Sequence, residues 1–245
     1  PVFVYSQQWD ESSILQASDD IEIKGSIQDE NSNVYIYGIF TGSIQNISSD
    51  ISTPDNKPDI FIAKYNTSLQ RQWIKQISGP NYTFSPHIAK FNDTLLVTGS
   101  FMDSVDFGNG NYLKGKGSLD VFVAKYNTNG NYQSVELLCW ESKYHYTQDI
   151  KILNGNEYFI SGFFLDNSIN IHNDTILEGN PGQYNPFYSK HKISNHELIW
   201  AKYNEINNNA RYTNIAQYQD DLFLNGFFID SLYFDIKSIK SKNSS

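Results

Sequence analysis

Apolar and polar positions along the chain follow a pattern that returns four times. Each copy is a short, nearly continuous apolar run that ends in glycine, one further residue and phenylalanine, as is typical of a buried β-strand. The four copies are Val34–Phe40, Leu95–Phe101, Tyr158–Phe164 and Leu222–Phe228, with their glycines at Gly38, Gly99, Gly162 and Gly226. Repetition at a fixed period indicates stacked supersecondary units, none of which buries its apolar face alone.

A second motif recurs at the same spacing as the first. Asp59–Asn66 reads Asp-Ile-Phe-Ile-Ala-Lys-Tyr-Asn, and Asp120–Asn127 reads Asp-Val-Phe-Val-Ala-Lys-Tyr-Asn. A degraded copy, Pro186–Lys190, stands at the corresponding place in the third unit. These copies predict one further strand in each of the three units.

The second unit shows the layout of a whole repeat most clearly. Its predicted strands are His87–Phe91, Thr94–Phe101, Asp120–Tyr126 and Gln133–Trp140, with turns at Asn92-Asp93 and Asn127–Asn131. No segment keeps the 3.6-residue apolar period of a helix over a helix's length. Four antiparallel strands per unit, repeated radially, predict an all-β fold of the β-propeller class. A β-sandwich or a parallel β-helix explains the copied motifs less well.

The repeat period predicts that residues 1–245 form a single domain. Its units are approximately 10–73, 74–140, 141–200 and 201–245 plus 1–9. Trp9 stands near the phase of Trp73 and Trp200, so residues 1–9 match the outer part of a unit. The last unit ends near the point where its third strand would begin. The two ends are therefore expected to share one blade, which gives four blades and removes the open sheet edges. The alternative is that the chain is a piece of a larger ring or array.

The combined pattern resembles the SBBP-type β-propeller repeat. The resemblance is most specific at Thr98–Phe101 and Asp120–Asn127, is weakest at Pro186–Lys190, and covers essentially the whole chain. That family occurs in secreted and surface proteins of bacteria, notably Bacteroidetes. The resemblance implies a propeller fold and an extracellular or cell-surface location, but it implies no fixed activity.

Composition narrows the possible partners. The chain carries a formal net charge of −9 and a single cysteine, Cys139, so it repels nucleic acid and cannot form an internal disulfide. No apolar run approaches the ~20 residues of a membrane span, so no membrane insertion is expected.

The candidate ligand site is a ring of polar residues at the mouth of the predicted channel. One residue of each predicted first strand precedes a recurring isoleucine, and these residues are Ser26, His87, Asp149 and Asn214. A propeller brings equivalent positions of every blade together, so we expect a small ligand to bind there. The alternative is that these side chains cap strand ends and bind channel water.

No motif for catalysis, a metal or a cofactor is present. There is no Gly-x-Ser-x-Gly sequence, no phosphate-binding loop and no metal-ligand spacing between histidines such as His191 and His196. Aromatic residues outside the repeat phase are the surface candidates for sugar stacking: Tyr82, Phe84, Tyr144, Tyr146 and Tyr184. The sequence therefore predicts a non-catalytic, secreted or surface-exposed scaffold for protein or glycan binding. The alternatives are a propeller hydrolase that acts on glycans and a purely structural segment of a larger adhesin.

Overall fold

The computed structural model describes residues 15–44, 51–53, 55–140, 144–153, 155–172, 175–206, 208–218, 221–229, 231–234 and 237–240. Throughout these ranges the regular elements are antiparallel β-strands, and the ranges contain no helix. The all-β prediction is therefore confirmed. Within the same ranges there is accordingly no helix that could cross a membrane. Residues 1–9, which the sequence assigns to a shared blade, lie outside the described residues.

The strands follow one order that repeats from unit to unit. The first unit comprises β1 (Ile21–Gln28), β2 (Val34–Phe40), β3 (Ser43–Ile44), β4 (Ile51–Ser52), β5 (Asp59–Tyr65) and β6 (Arg71–Ile77). The second comprises β7 (Thr83–Phe91), β8 (Thr94–Phe101), β9 (Ser104–Asp106), β10 (Tyr112–Lys114), β11 (Asp120–Asn127) and β12 (Tyr132–Trp140). The third comprises β13 (His145–Leu153), β14 (Glu157–Phe164), β15 (Ser168–Ile171), β16 (Thr175–Glu178), β17 (Asn185–Lys192) and β18 (Leu198–Tyr203). The fourth comprises β19 (Ala210–Tyr218), β20 (Asp221–Phe228), β21 (Ser231–Phe234) and β22 (Lys237–Lys240).

Each unit builds one meandering sheet from its long strands. The sheets run β1-β2-β5-β6, β7-β8-β11-β12, β13-β14-β17-β18 and, in the described part of the fourth unit, β19-β20. The third strands share one register, because Asp59 pairs with Phe40, Asp120 with Phe101 and Asn185 with Phe164. The degraded motif at 186–190 is thus confirmed as a third strand.

The polar residue that opens each third strand holds the loop beside it. The Asp120 carboxylate accepts hydrogen bonds from the backbone N–H groups of Lys116 and Gly117, at 2.7 and 3.0 Å. Asn185 takes the same place in the third sheet, where its Oδ1 accepts from the backbone N–H of Asn180 at 2.8 Å. A buried carboxylate or amide that satisfies backbone donors explains why the motif begins with Asp or Asn.

In the first three units a short hairpin follows the second strand and reaches the segment just ahead of the unit's first strand. In the third unit β15 of the β15–β16 hairpin pairs with β12, which extends the second sheet to six strands. In the second unit Asp106 of β9 forms a bridge with Ser78, just beyond β6. In the first unit Ile44 of β3 forms a bridge with Ala17, ahead of β1. Each inserted hairpin therefore joins its own unit to the segment before it.

The core lies in layers between consecutive sheets. Ile60 and Ile62 of the first sheet pack against Phe122 and Val97 of the second. Val121 and Leu138, on the opposite face of the second sheet, pack against the third sheet. Leu153 and Phe159 of the third sheet contact Ile215 of β19. The third strands of the first two sheets are buried on both faces, which explains why Ile60–Ala63 and Val121–Ala124 are continuously apolar.

The repeated glycine lies where a bulge in the first strand presses on the second strand. The register of β1 with β2 shifts between Ile23 and Gly25, and shifts at the corresponding place occur in β7, β13 and β19. A Cβ at Gly38 would overlap the Glu22 carbonyl oxygen and stand 3.0 Å from the Phe61 ring. Tyr146 and Arg211 carbonyls occupy the equivalent space beside Gly162 and Gly226. Glycine is required here because the backbones approach too closely for a side chain.

Replacing Gly38 with alanine tests this packing. We expect Gly38→Ala to lower the free energy of unfolding by about 1–3 kcal/mol, as an added methyl in a filled space does. The matched control is Ser26→Ala, at an exposed position of β1, which we expect to stay within about 0.5 kcal/mol of the parent chain. Urea unfolding curves measure both values. Equal midpoints for the two variants would contradict the close approach.

Candidate functional site

The first strands of the sheets place the predicted polar ring just after their bulges. His87 pairs with Thr98, Asp149 with Ser161 and Asn214 with Asn225, each one residue before the repeated glycine. The residue at this register in the first sheet is Gly25, which pairs with Tyr37. Ser26 lies one position further along β1, because the β1–β2 connection spans residues 29–33 and that of β7–β8 only 92–93.

Asp149 links the third sheet to the fourth. Its Oδ2 accepts a hydrogen bond from the backbone N–H of Ile215 in β19 at 2.8 Å, and its Oδ1 accepts from the N–H of Ile150 at 2.8 Å. Lys151 Nζ lies 3.2 Å from Oδ2. The carboxylate is buried and its oxygens are engaged, so it acts as a tie between neighbouring first strands.

His87 lies between Asp149 and the aromatic ring of Tyr37. Burial lowers the pKa of His87 to about 4, against the opposing effect of the Asp149 charge. The His87 and Tyr37 rings are 6.5 Å apart, and the Tyr37 side chain fills the space that a Cβ at Gly25 would need. Burial and the Asp149 charge raise the pKa of Tyr37. The first three sheets therefore bring Tyr37, His87 and Asp149 to one region.

The other two predicted ring residues have different surroundings. Ser26 and Asn214 are exposed on their strands. The structure brings His87 and Asp149 within electrostatic range of each other. The residue of the first sheet that lies near them is Tyr37, and not Ser26 as the sequence predicted. Ligand binding by Ser26, His87, Asp149 and Asn214 stays a prediction.

An open cleft lined by aromatic rings lies where β7, β13 and β19 begin. Its volume is about 430 Å³, and we name it the aromatic cleft, lined by Ser85, Tyr144, Tyr146, Gln148, Phe163, Leu165, Tyr184 and Arg211. The rings of Tyr146 and Phe163 are stacked with centroids 5.1 Å apart, and Tyr184 meets Phe163 edge-on at 5.1 Å. Tyr144 is 50% exposed. The cleft thus offers ring faces and phenolic hydroxyls to a ligand.

Arg211 places a cation in the aromatic cleft. Its guanidinium carbon lies 4.9 Å from the Phe227 ring centroid, 5.8 Å from that of Tyr184 and 5.9 Å from that of Phe163. Contact with several ring faces is attractive to a guanidinium and limits its rotamers. Among the described residues no carboxylate forms an ion pair with Arg211, and its buried Nε has no hydrogen-bond partner.

The sequence identified part of this cleft. Tyr144, Tyr146 and Tyr184 were among the aromatic residues outside the repeat phase, and the structure brings them together. Phe163 was missed because it lies inside the repeated glycine motif, where an aromatic ring reads as core. Arg211 was missed because only folding brings it beside the rings, although it is one of the chain's two arginines.

Three histidines lie together between the second and third sheets. The His191 ring stacks on Tyr158 with centroids 4.9 Å apart, and His172 meets His191 edge-on at 6.2 Å. His191 Nε2 lies 2.8 Å from Ser189 Oγ. Burial lowers the pKa of His191 to about 3 and that of His196 to about 4. In the part of the chain that the structure describes, no group of three His, Cys, Asp or Glu side chains is arranged to hold a metal ion.

Comparison with known proteins leaves the family assignment open. No protein-family model matches the chain, and no curated protein matches it with significant similarity. The resemblance to the SBBP-type repeat therefore rests on the motif residues alone.

Removing the Asp149 carboxylate tests its role as a tie. We expect Asp149→Ala to lower the free energy of unfolding by about 1–3 kcal/mol, because two backbone donors lose their acceptor. Hydrogen exchange at the Ile215 amide should accelerate more than exchange at amides within β8. Asp149→Asn keeps one acceptor oxygen, and we expect it to fall between the parent chain and the alanine variant. Unchanged exchange at Ile215 in Asp149→Ala would contradict the tie.

The buried histidines predict a loss of stability in mild acid. Burial lowers the pKa of His87, His145 and His196 to about 4 and of His191 to about 3, below the value of about 6.5 for an unfolded chain. Between these values the unfolded chain binds more protons than the folded one, so stability rises with pH. The full contribution is present above about pH 6.5 and is lost as the pH falls toward 4.

Melting temperatures at pH 7.5, 6.0 and 5.0 measure this effect. We expect a steady decrease toward pH 5.0, and a shallower one in His191→Gln. Asp59 opposes the trend, because burial raises its pKa to about 6 and a protonated carboxyl is then favoured in the fold. Burial also raises the pKa of Asp120, which opposes the trend in the same way. Four histidines outweigh these two carboxyl groups over this range. A melting temperature that rises on acidification would contradict the prediction.

Proposed function

We propose that the chain is a four-bladed β-propeller that acts as a non-catalytic binding scaffold at the cell surface or outside the cell. Its ligand is a glycan bound in the aromatic cleft. The observation that carries the proposal is the grouping of Tyr144, Tyr146, Tyr184 and Phe163 around an open space.

The contacts between sheets support the propeller architecture. The first strands meet in order, with β1 against β7, β7 against β13 and β13 against β19. Each sheet packs face to face on the next, and the inserted hairpins connect neighbours in the same order. The first sheet also buries its other face, since Phe61 and Ala63 there are inaccessible to solvent. Radial repetition of four-stranded sheets about their first strands has these properties.

The shape and chemistry of the aromatic cleft support sugar binding. A volume of about 430 Å³ is within the ~300–1,000 Å³ range of small-ligand pockets. Ring faces can pack on the apolar face of a sugar, and phenolic hydroxyls such as those of Tyr144 and Tyr146 can bond its hydroxyl groups. Tyrosine loses little conformational entropy on binding, so partly exposed tyrosines suit such a role.

The same lining favours binding over hydrolysis. Glycosidases use two carboxyl groups on either side of the scissile bond. Among the described residues, those that line the aromatic cleft include no Asp or Glu. The buried carboxylate of Asp149 is bonded to backbone amides and to Lys151. A scaffold role therefore accounts for these residues more simply than a hydrolase.

Replacing two cleft tyrosines tests the proposal. We expect Tyr146→Ala with Tyr184→Ala to reduce glycan affinity by at least about tenfold, because loss of one stacking contact costs about 1 kcal/mol or more. The control is Tyr112→Ala, a 70% exposed tyrosine of β10 outside the cleft. Binding to a panel of immobilised glycans, followed by calorimetry with the best sugar, measures affinity. Equal binding by the double variant and the control, or capture of a protein partner alone, would contradict the proposal.

A further inference from the structure

We infer that the aromatic cleft recognises a sugar that carries a carboxylate, such as a uronic acid, and that Arg211 binds that carboxylate. The inference rests on the proposed function and names the chemical class of its ligand. It depends on a cation to which the described residues supply aromatic rings but no anion.

Arg211 is held in position without being neutralised. The rings of Phe227, Tyr184 and Phe163 lie within 6 Å of its guanidinium carbon and restrict its movement. The seven ion pairs among the described residues do not include it. Its Nε is buried and makes no hydrogen bond. A buried donor left without an acceptor carries a desolvation cost, which a bound acceptor can recover.

The guanidinium geometry selects the acceptor. Arginine presents its donors in a planar fork that matches the two oxygens of a carboxylate, and such paired bonds are stronger than bonds between neutral groups. Ring contacts use the faces of the guanidinium and leave its edge available to a ligand. A neutral sugar hydroxyl can occupy only part of this fork. A carboxylate therefore complements Arg211 better than a hydroxyl does.

The remainder of the lining accepts an anion without repulsion. The other lining residues in the described part of the chain are neutral: Ser85, Tyr144, Tyr146, Gln148, Phe163, Leu165 and Tyr184. Gln148 and the tyrosine hydroxyls can bond the hydroxyl groups of the same sugar. The chain as a whole carries a net charge of −9, which opposes the approach of a long polyanion. The site therefore fits one acidic sugar residue, with the positive charge supplied locally.

A matched pair of sugars tests the inference. The probes are a disaccharide that ends in glucuronic acid and the same disaccharide that ends in glucose, so that they differ only at C6. We expect the parent chain to bind the acidic probe at least about tenfold more tightly, which corresponds to one additional charge-assisted pair at about 1.4 kcal/mol. Increasing salt should reduce this difference, because a charge pair is screened.

Variants at Arg211 separate the carboxylate from the sugar ring. We expect Arg211→Gln to abolish the preference, so that the acidic and the neutral probe bind with equal affinity. Arg211→Lys should keep only part of the preference, because it retains the charge without the fork. Melting temperature and near-ultraviolet circular dichroism of both variants check that the cleft rings stay in place.

The outcomes distinguish this inference from the proposed function. Equal binding of the two probes by the parent chain, or an unchanged preference in Arg211→Gln, would overturn the role of the carboxylate and leave glycan binding intact. Binding of a sulfated probe in preference to the carboxylated one would replace the carboxylate with another anion and overturn the inference. Failure of both disaccharides to bind, with the parent chain also failing to bind any glycan of the panel, would remove the proposed function itself.

Discussion

The fold depends on one close approach, which recurs in three of the four sheets, between the bulge of the first strand and the glycine of the second strand beside it. Carbonyl oxygens of the first strand fill the space where side chains would begin at Gly38, Gly162 and Gly226. The residue that follows the bulge then lies against a neighbouring sheet, as Asp149 does when it accepts the Ile215 amide. Sheet packing and the polar centre therefore share one cause, which is a local irregularity in an otherwise regular ladder.

Much of the strand layout could be predicted from the sequence, because each unit repeats the same apolar runs. The third strand at 185–192 was recognisable despite a degraded motif, and Asn185 there replaces the aspartate of the other copies. The bulges could not be predicted, because they depend on backbone contact between two strands. The connection between β1 and β2 is also longer than that between β7 and β8, and for that reason Ser26 was predicted where the structure has Gly25. A turn of different length is enough to shift such a register by one residue.

The candidate site shows the same division between repeated and unrepeated residues. Tyr144, Tyr146 and Tyr184 lie outside the repeated motifs, so the sequence itself distinguishes them from the repeated core. Phe163 lies inside the repeated motif, between Gly162 and Phe164, yet it forms a wall of the aromatic cleft. The role of Arg211 emerges only when three rings from separate segments surround it. A sequence shows which residues depart from a repeat. Only the folded structure shows that a residue inside the repeated motif has a further role.

The inserted hairpins have a consequence for how the molecule comes apart. Because β15 completes the edge of the second sheet and β9 reaches Ser78 beyond β6, no unit is self-contained. Unfolding of one unit would expose the packed face of the preceding unit and would also remove the strand that pairs with its edge. Simple linear arrays unfold progressively from an end, since each repeat touches only its neighbours through one interface. Interlocked units raise the free-energy cost of every partially opened state, so the described sheets should melt together in a single cooperative transition.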